Sequence, residues 1–220
     1  MKKFIIIFVL ILGSIPVYSL TFLEYLAHCN VSLGPNFMAG GDISGDNAAY
    51  SIWLSDNHGP IYYYDYSPSD IKKPVGISFD TRLPFYFNDL FALGLNIELG
   101  GFNYMSGLIG AYFDYYFSPR WSFVGSIGGS LALISYKLGE ANGKDVTLSG
   151  SGTSGLGLSL GAKFHVFKYM YLEAGYRLGW ASKISEYSVR YDGEKVGNLP
   201  LPPLKASASH NFSIKIGAGI

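Results

Sequence analysis

The chain has 220 residues, enough for one domain of ordinary size. It is 49% hydrophobic but only 15% charged, against roughly 25% charged in soluble domains. Net charge is zero, which argues against nucleic acid as a partner, and so few charges make a poor water-facing shell.

The first residues read as an export signal. Lys2 and Lys3 form a positive start, Phe4 to Leu12 an apolar run, and Val17-Tyr18-Ser19 a cleavage site. Residues 1–19 are therefore expected to be a signal peptide and residues 20–220 the mature domain. Cys29 is the one cysteine, so no internal disulfide can form. The preceding Leu26-Ala27-His28 is a poor lipoprotein box because His28 is wrong at the cleavage position. A tucked thiol before the first strand is the expectation.

Eight strands follow, each alternating with period two. The first is about Val31–Gly40 and the second Pro74–Pro84. The third, Phe91–Gly101, is the clearest. Phe91, Leu93, Leu95, Ile97 and Leu99 share one face, against Ala92, Gly94, Asn96 and Glu98. Then come Gly107–Phe117, Trp121–Tyr136, Gly155–Val166, Tyr171–Ala181 and Ser209–Ile220. Short turns near Asn88-Asp89, Ser118-Pro119-Arg120 and Phe167-Lys168-Tyr169 fall at one end. Long loops, about Gly41–Lys73, Lys137–Gly150 and Ser182–Ala208, fall at the other. No later segment is long and apolar enough for a membrane helix. This spacing predicts an all-β fold, an eight-stranded antiparallel up-and-down transmembrane β-barrel. A soluble barrel such as a lipocalin would need a well-charged outer face. Here the non-apolar face is mostly Gly, Ser and Ala, suited to a tight interior. Aromatics near the short turns predict an interfacial girdle: Phe85, Tyr86, Phe87, Tyr115, Phe117, Trp121, Phe123, Phe167, Tyr169 and Tyr171.

Tyr115-Tyr116-Phe117-Ser118-Pro119-Arg120-Trp121 is similar to the strand–turn–strand segment of the small outer-membrane β-barrels. The last strand keeps its apolar phase to Ile220, although the usual terminal aromatic is missing. By pattern, residues 30 to 220 resemble that superfamily, which includes the OmpA, OmpX and OmpW barrels. The resemblance implies the bacterial outer membrane and its lipid as surroundings.

With the small face inward, the lumen receives Asp80, Arg82, Glu98, Asp114, Lys163, Glu173, Arg177 and Lys215, plus His165. Four acids against four bases predict a salt-bridged plug near the short-turn end, since buried charges persist only when paired. The hairpin of strands six and seven is expected to bring Glu173 beside Lys163 or His165. A proton or ion relay through His165 is the functional alternative. Above this layer, Gly128, Ser130, Gly155, Gly157, Ser159 and Gly179 suggest room for a vestibule or small pocket.

The first long loop carries Trp53, Tyr62, Tyr63, Tyr64 and Tyr66. Such residues suit an extracellular contact surface, and equally a loop folded over the barrel mouth. Asp42 to Asn47 is acidic but lacks calcium-loop spacing, so a Gly-rich turn is expected. Leu199 to Pro203 should be stiff and extended. His210, Ser182 and Glu186 share a lipid-facing parity and form a candidate triad by geometry alone. The sequence thus predicts a non-enzymatic barrel with a structural or surface-contact role. A narrow channel for small apolar solutes, as in OmpW-like barrels, is the alternative, and a lipid A-modifying enzyme the second. Expected partners are outer-membrane lipid and an extracellular protein or small apolar ligand. No cofactor or metal is expected.

Overall fold

Alternating side chains build long strands that must pair, and the chain pairs them with near neighbours. A computed structural model describes residues 29–46, 48–53, 61–180, 182–184, 186–196 and 204–219. The expected signal peptide and residues 199–203 lie outside the described residues. Strand β1 (Asn30–Gly40) is followed by β2 (Ile43–Ser44), β3 (Ala48–Trp53), β4 (Ile61–Tyr66) and one helical turn, α1 (Pro68–Ile71). Next come β5 (Val75–Asn88), β6 (Phe91–Gly101), β7 (Tyr104–Ser118), β8 (Trp121–Ala141), β9 (Lys144–Phe167) and β10 (Met170–Gly179). The short β11 (Ser182–Ile184), β12 (Glu186–Tyr191), β13 (Glu194–Lys195) and β14 (Leu204–Ala206) precede β15 (Ser209–Ala218).

Eight strands close on themselves. The order β10–β15–β1–β5–β6–β7–β8–β9 is antiparallel throughout, and β9 returns to β10. Closure removes every free barrel edge. At one end the turns are tight. Asn88 Oδ1 accepts from the Leu90 amide at 2.9 Å, and Ser118 Oγ from the Trp121 amide at 3.0 Å. A bulge lies beside each of these turns, in β5 and in β7.

The other end is built up. Strands β8 and β9 run for 21 and 24 residues, beyond what a bilayer needs. They meet at Asn142-Gly143, both left-handed, with φ of 49° and 73°, the pairing a tight hairpin requires. On this extension β9 also pairs with β11 and β12, while β14 joins β11 to β2. The expected loops Lys137–Gly150 and Ser182–Ala208 are therefore largely strand where described. The segment after Gly40 contains a hairpin, β3–β4, and α1. The physical reason is a change of phase. Register shifts between Gly129 and Leu131, and again between Lys137 and Gly139, flip which side chains face inward. In β9, Val146 and Leu148 point inward at even positions, whereas Gly157, Ser159 and Gly161 do so at odd ones.

A single apolar cluster caps this end. Met38, Tyr104, Ala132 and Ile134 rise from the barrel wall to meet Ile43, Ile71, Val146, Leu148, Ile184 and Leu204 from the extension. Barrel mouth and extension thus share one core.

Candidate functional site

Inward positions of β5, β6, β7, β9, β10 and β15 carry Asp80, Arg82, Glu98, Asp114, Lys163, Glu173, Arg177 and Lys215. Each is at most 3% exposed. Arg82 donates in parallel to Glu173, Nη1 to Oε2 at 2.6 Å and Nη2 to Oε1 at 2.8 Å, and also pairs with Asp80. Lys215 Nζ lies 3.0 Å from Asp80, 2.8 Å from Glu173 and 3.5 Å from Glu98. Arg177 Nη1 is 3.4 Å from Glu98, and its Nη2 donates to the Ser106 carbonyl at 2.8 Å. These bonds tie β5 to β10, β15 to β6 and β10 to β7 across the lumen.

Lys163 and Asp114 form a separate pair, with the ammonium 4.8 Å from the Tyr171 ring centre. Lys163 stands opposite Glu173 in register, yet the two take different partners. The hairpin thus sets Glu173 beside Lys163, as expected, without an ion pair between them. Glu173 reaches the forked guanidinium of Arg82, while Lys163 finds Asp114 two strands away. His165 sits half-buried at the tight-turn mouth, 3.4 Å from Ser122 Oγ and between the rings of Tyr116 and Tyr171.

Above the charges, hydrogen bonds replace ion pairs. Asn211 Nδ2 donates to Ser106 Oγ at 2.8 Å, Asn36 to Asn211 at 3.3 Å, and Asn96 to Ser126 Oγ at 3.1 Å. The room suggested by Gly128, Gly157 and Gly179 is taken up by their neighbours. A Cβ on Gly157 would lie 3.1 Å from Leu108, one on Gly179 2.8 Å from Ser209, and one on Gly128 2.6 Å from the Gly110 backbone. Of these glycines, Gly155 alone has open space around it. Tyr104, Leu108 and Tyr112, all inward and buried, fill the volume that the small residues leave. Bulk at inward parity in β7 is the sequence signal that reveals this.

The loop tyrosines divide. Tyr62 donates to Asn142 Oδ1 at 2.6 Å, and Tyr64, buried against the apolar cluster, to the Glu140 carbonyl at 3.0 Å. Both pin hairpin β3–β4 to the β8–β9 tip. Tyr63, between them, is 75% exposed. The side chains of Trp53 and Tyr66 lie outside the described residues.

The outer wall reverses the usual order of a soluble protein. Leu33, Phe79, Leu95, Ile109, Leu172 and Ile216 point outward and are 39–59% exposed. A barrel that exposes hydrocarbon and buries its charges needs a bilayer around it. No described helix is long and apolar enough to cross a membrane. The chain is an eight-stranded transmembrane β-barrel.

No family model matches this barrel, and no curated protein does. It is similar in fold to several solved structures. For the attachment invasion locus protein Ail of Yersinia pestis, identity is 13%, covering 87% of this chain and 97% of that one, with a TM-score of 0.43. Neisserial surface protein A gives 16% over 88% and 98%, with a TM-score of 0.43. Outer membrane protein OprG of Pseudomonas aeruginosa gives 9% over 87% and 95%, also with a TM-score of 0.43.

Around the tight-turn rim, Tyr86, Phe87, Tyr115, Phe117, Trp121, Phe123, Phe167 and Tyr169 are exposed. Tyr171 is not part of that girdle. It is 4% exposed because its parity matches Glu173, not Leu172, and it points into the lumen over Lys163. His210 faces the lipid side, where its Nδ1 lies 2.7 Å from the Tyr176 hydroxyl. The side chains of Ser182 and Glu186 lie outside the described residues. Among the described residues, no group of three His, Cys, Asp or Glu could hold a metal ion.

Proposed function

We propose that this barrel is a closed, non-conducting anchor that holds a rigid β-platform at the outer surface for contact with an extracellular protein. The observation that carries the reading is the shared apolar cluster. Barrel-wall residues such as Met38 and Ile134 pack with extension residues such as Leu148 and Leu204, so platform and barrel share one core. A preorganised surface binds without the cost of ordering a loop. Tyr63 supplies an exposed aromatic contact, held in place by its anchored neighbours Tyr62 and Tyr64. The cross-bracing of the lumen supports the closed state. An eight-stranded barrel is narrow enough for side chains to fill it.

The test uses cells displaying the full chain on a panel of immobilised extracellular-matrix proteins. Adhesion is expected, and it should fall to the level of empty cells when residues 48–66 are replaced by a short Gly-Ser turn. Tyr63→Ser should weaken it without altering surface display. Adhesion unchanged by the replacement, or absent in the wild type, contradicts the reading.

A further inference from the structure

Two lysines stand where sheet chemistry disfavours them. Lys183 on β11 and Lys205 on β14 are direct cross-strand partners. Like charges directly opposite one another are destabilising. Their neighbours Ile184, Leu204 and Ala206 point into the apolar cluster, so both lysines point the other way, out of the wall, and both are exposed. Lys72, Lys137 and Lys144 on the same platform each hold a carboxylate. Among the described side chains, none does so for Lys183 or Lys205.

The wall beneath them is shaped for lipid. Trp180, three residues before Lys183, is 50% exposed, a ring placed as interfacial tryptophans are. Lower still, Tyr176 and His210 form their outward-facing hydrogen bond, and the Tyr176 ring packs 5.1 Å from that of Phe212. Below this pair opens a groove of about 660 Å³. Its floor is small, Ala162 and Ala174, and its rim is aromatic, Phe37, Phe123, Tyr176 and Phe212. From bottom to top the wall reads apolar groove, amphipathic aromatics, then two ammonium groups with no carboxylate partner among the described side chains.

We propose that this wall binds one phosphate-bearing lipid of the outer leaflet. An acyl chain lies in the groove, Tyr176, His210 and Trp180 sit at the ester level, and Lys183 and Lys205 share the headgroup phosphate. Charge complementarity selects this occupant. A dianionic phosphate between the lysines turns their mutual repulsion into attraction, and long lysine stems can lean down to the headgroup. A zwitterionic lipid fills the groove equally well but brings its own cation to the lysine pair.

The test is native mass spectrometry of the refolded full chain in detergent. Three probes are added separately: phosphatidic acid, phosphatidylcholine with the same chains, and inorganic phosphate. Phosphatidic acid should be retained at least about tenfold better than phosphatidylcholine. The exposed double substitution K183Q/K205Q should remove that preference, whereas K137Q/K144Q should leave it. Ala174→Leu, which fills the groove from its exposed side, should lower retention with both lysines intact. Equal retention of the two lipids overturns the proposal, as does undiminished phosphatidic acid binding by K183Q/K205Q. Binding of inorganic phosphate as tightly as the lipid also overturns it, because the site would then be a free-anion site.

Discussion

Arg82 and Glu173 grip each other across the lumen through two parallel hydrogen bonds of 2.6 and 2.8 Å, joining strand β5 to strand β10. Because both groups are buried, removing Glu173 takes from Arg82 its two-bond partner and leaves the network it shares with Asp80, Glu98, Arg177 and Lys215 with one positive charge in excess. Glu173→Ala is expected to destabilise the barrel by about 3–5 kcal/mol. Urea unfolding from lipid vesicles measures it. The double variant Arg82→Met/Glu173→Met should cost less than the sum of the single changes, since it removes both charges together. Additive losses would show that the two residues do not act as a pair.

Gly110 and Gly128 face each other on β7 and β8 at a point where the chains leave no space for a side chain. A Cβ on Gly110 would lie 2.1 Å from the Ile127 carbonyl oxygen and 2.5 Å from the Gly128 Cα. Backbone atoms cannot swing aside. Gly110→Ala is therefore expected to block closure and abolish the fast-migrating unboiled band on a gel. Gly155→Ala, with open space around it, should leave that band intact. A normal band for Gly110→Ala would contradict the register.

Tyr64 joins the β3–β4 hairpin to the core, and its ring is packed so closely on Gly139 that a Cβ there would meet it at 2.7 Å. Tyr64→Ala should free the hairpin, at a local cost of about 3–5 kcal/mol by analogy with other buried aromatics. Limited proteolysis of intact cells should then cut between residues 48 and 66, while the barrel core survives. Tyr63→Ala should not change the cleavage pattern.

The barrel strands were legible because one rule governs them: apolar residues face lipid, small or polar ones face the lumen. Leu93, Leu95 and Ile97 against Asn96 and Glu98 state it plainly, and the charged lumen positions follow from parity alone. Parity gives the face, not the partner. Glu173 stands opposite Lys163 in register but takes Arg82 and Lys215, because long side chains choose across the barrel interior. The extension beyond Gly129 escaped the rule because bulges reset its phase, so Val146 and Leu148 fall out of step with Gly157 and Ser159. Nearness to the turn groups Tyr171 with the girdle aromatics, whereas its parity places it inside.

His210→Ala should leave the mass spectrum of the cell's lipid A unchanged, since the His210 ring is engaged with the Tyr176 hydroxyl on the lipid-facing wall. Loss of a lipid modification in that strain would instead assign the barrel an enzymatic role.

The proposed closed state rests on a lumen braced by Arg82–Glu173 and Lys215–Glu98 below and lined by buried Tyr104, Leu108 and Tyr112 above. Planar-bilayer recording of the refolded full chain tests it most directly. The account predicts membrane insertion with no discrete conductance steps. Steady unitary steps whose selectivity changes with Asp114→Asn or Lys163→Gln would contradict it.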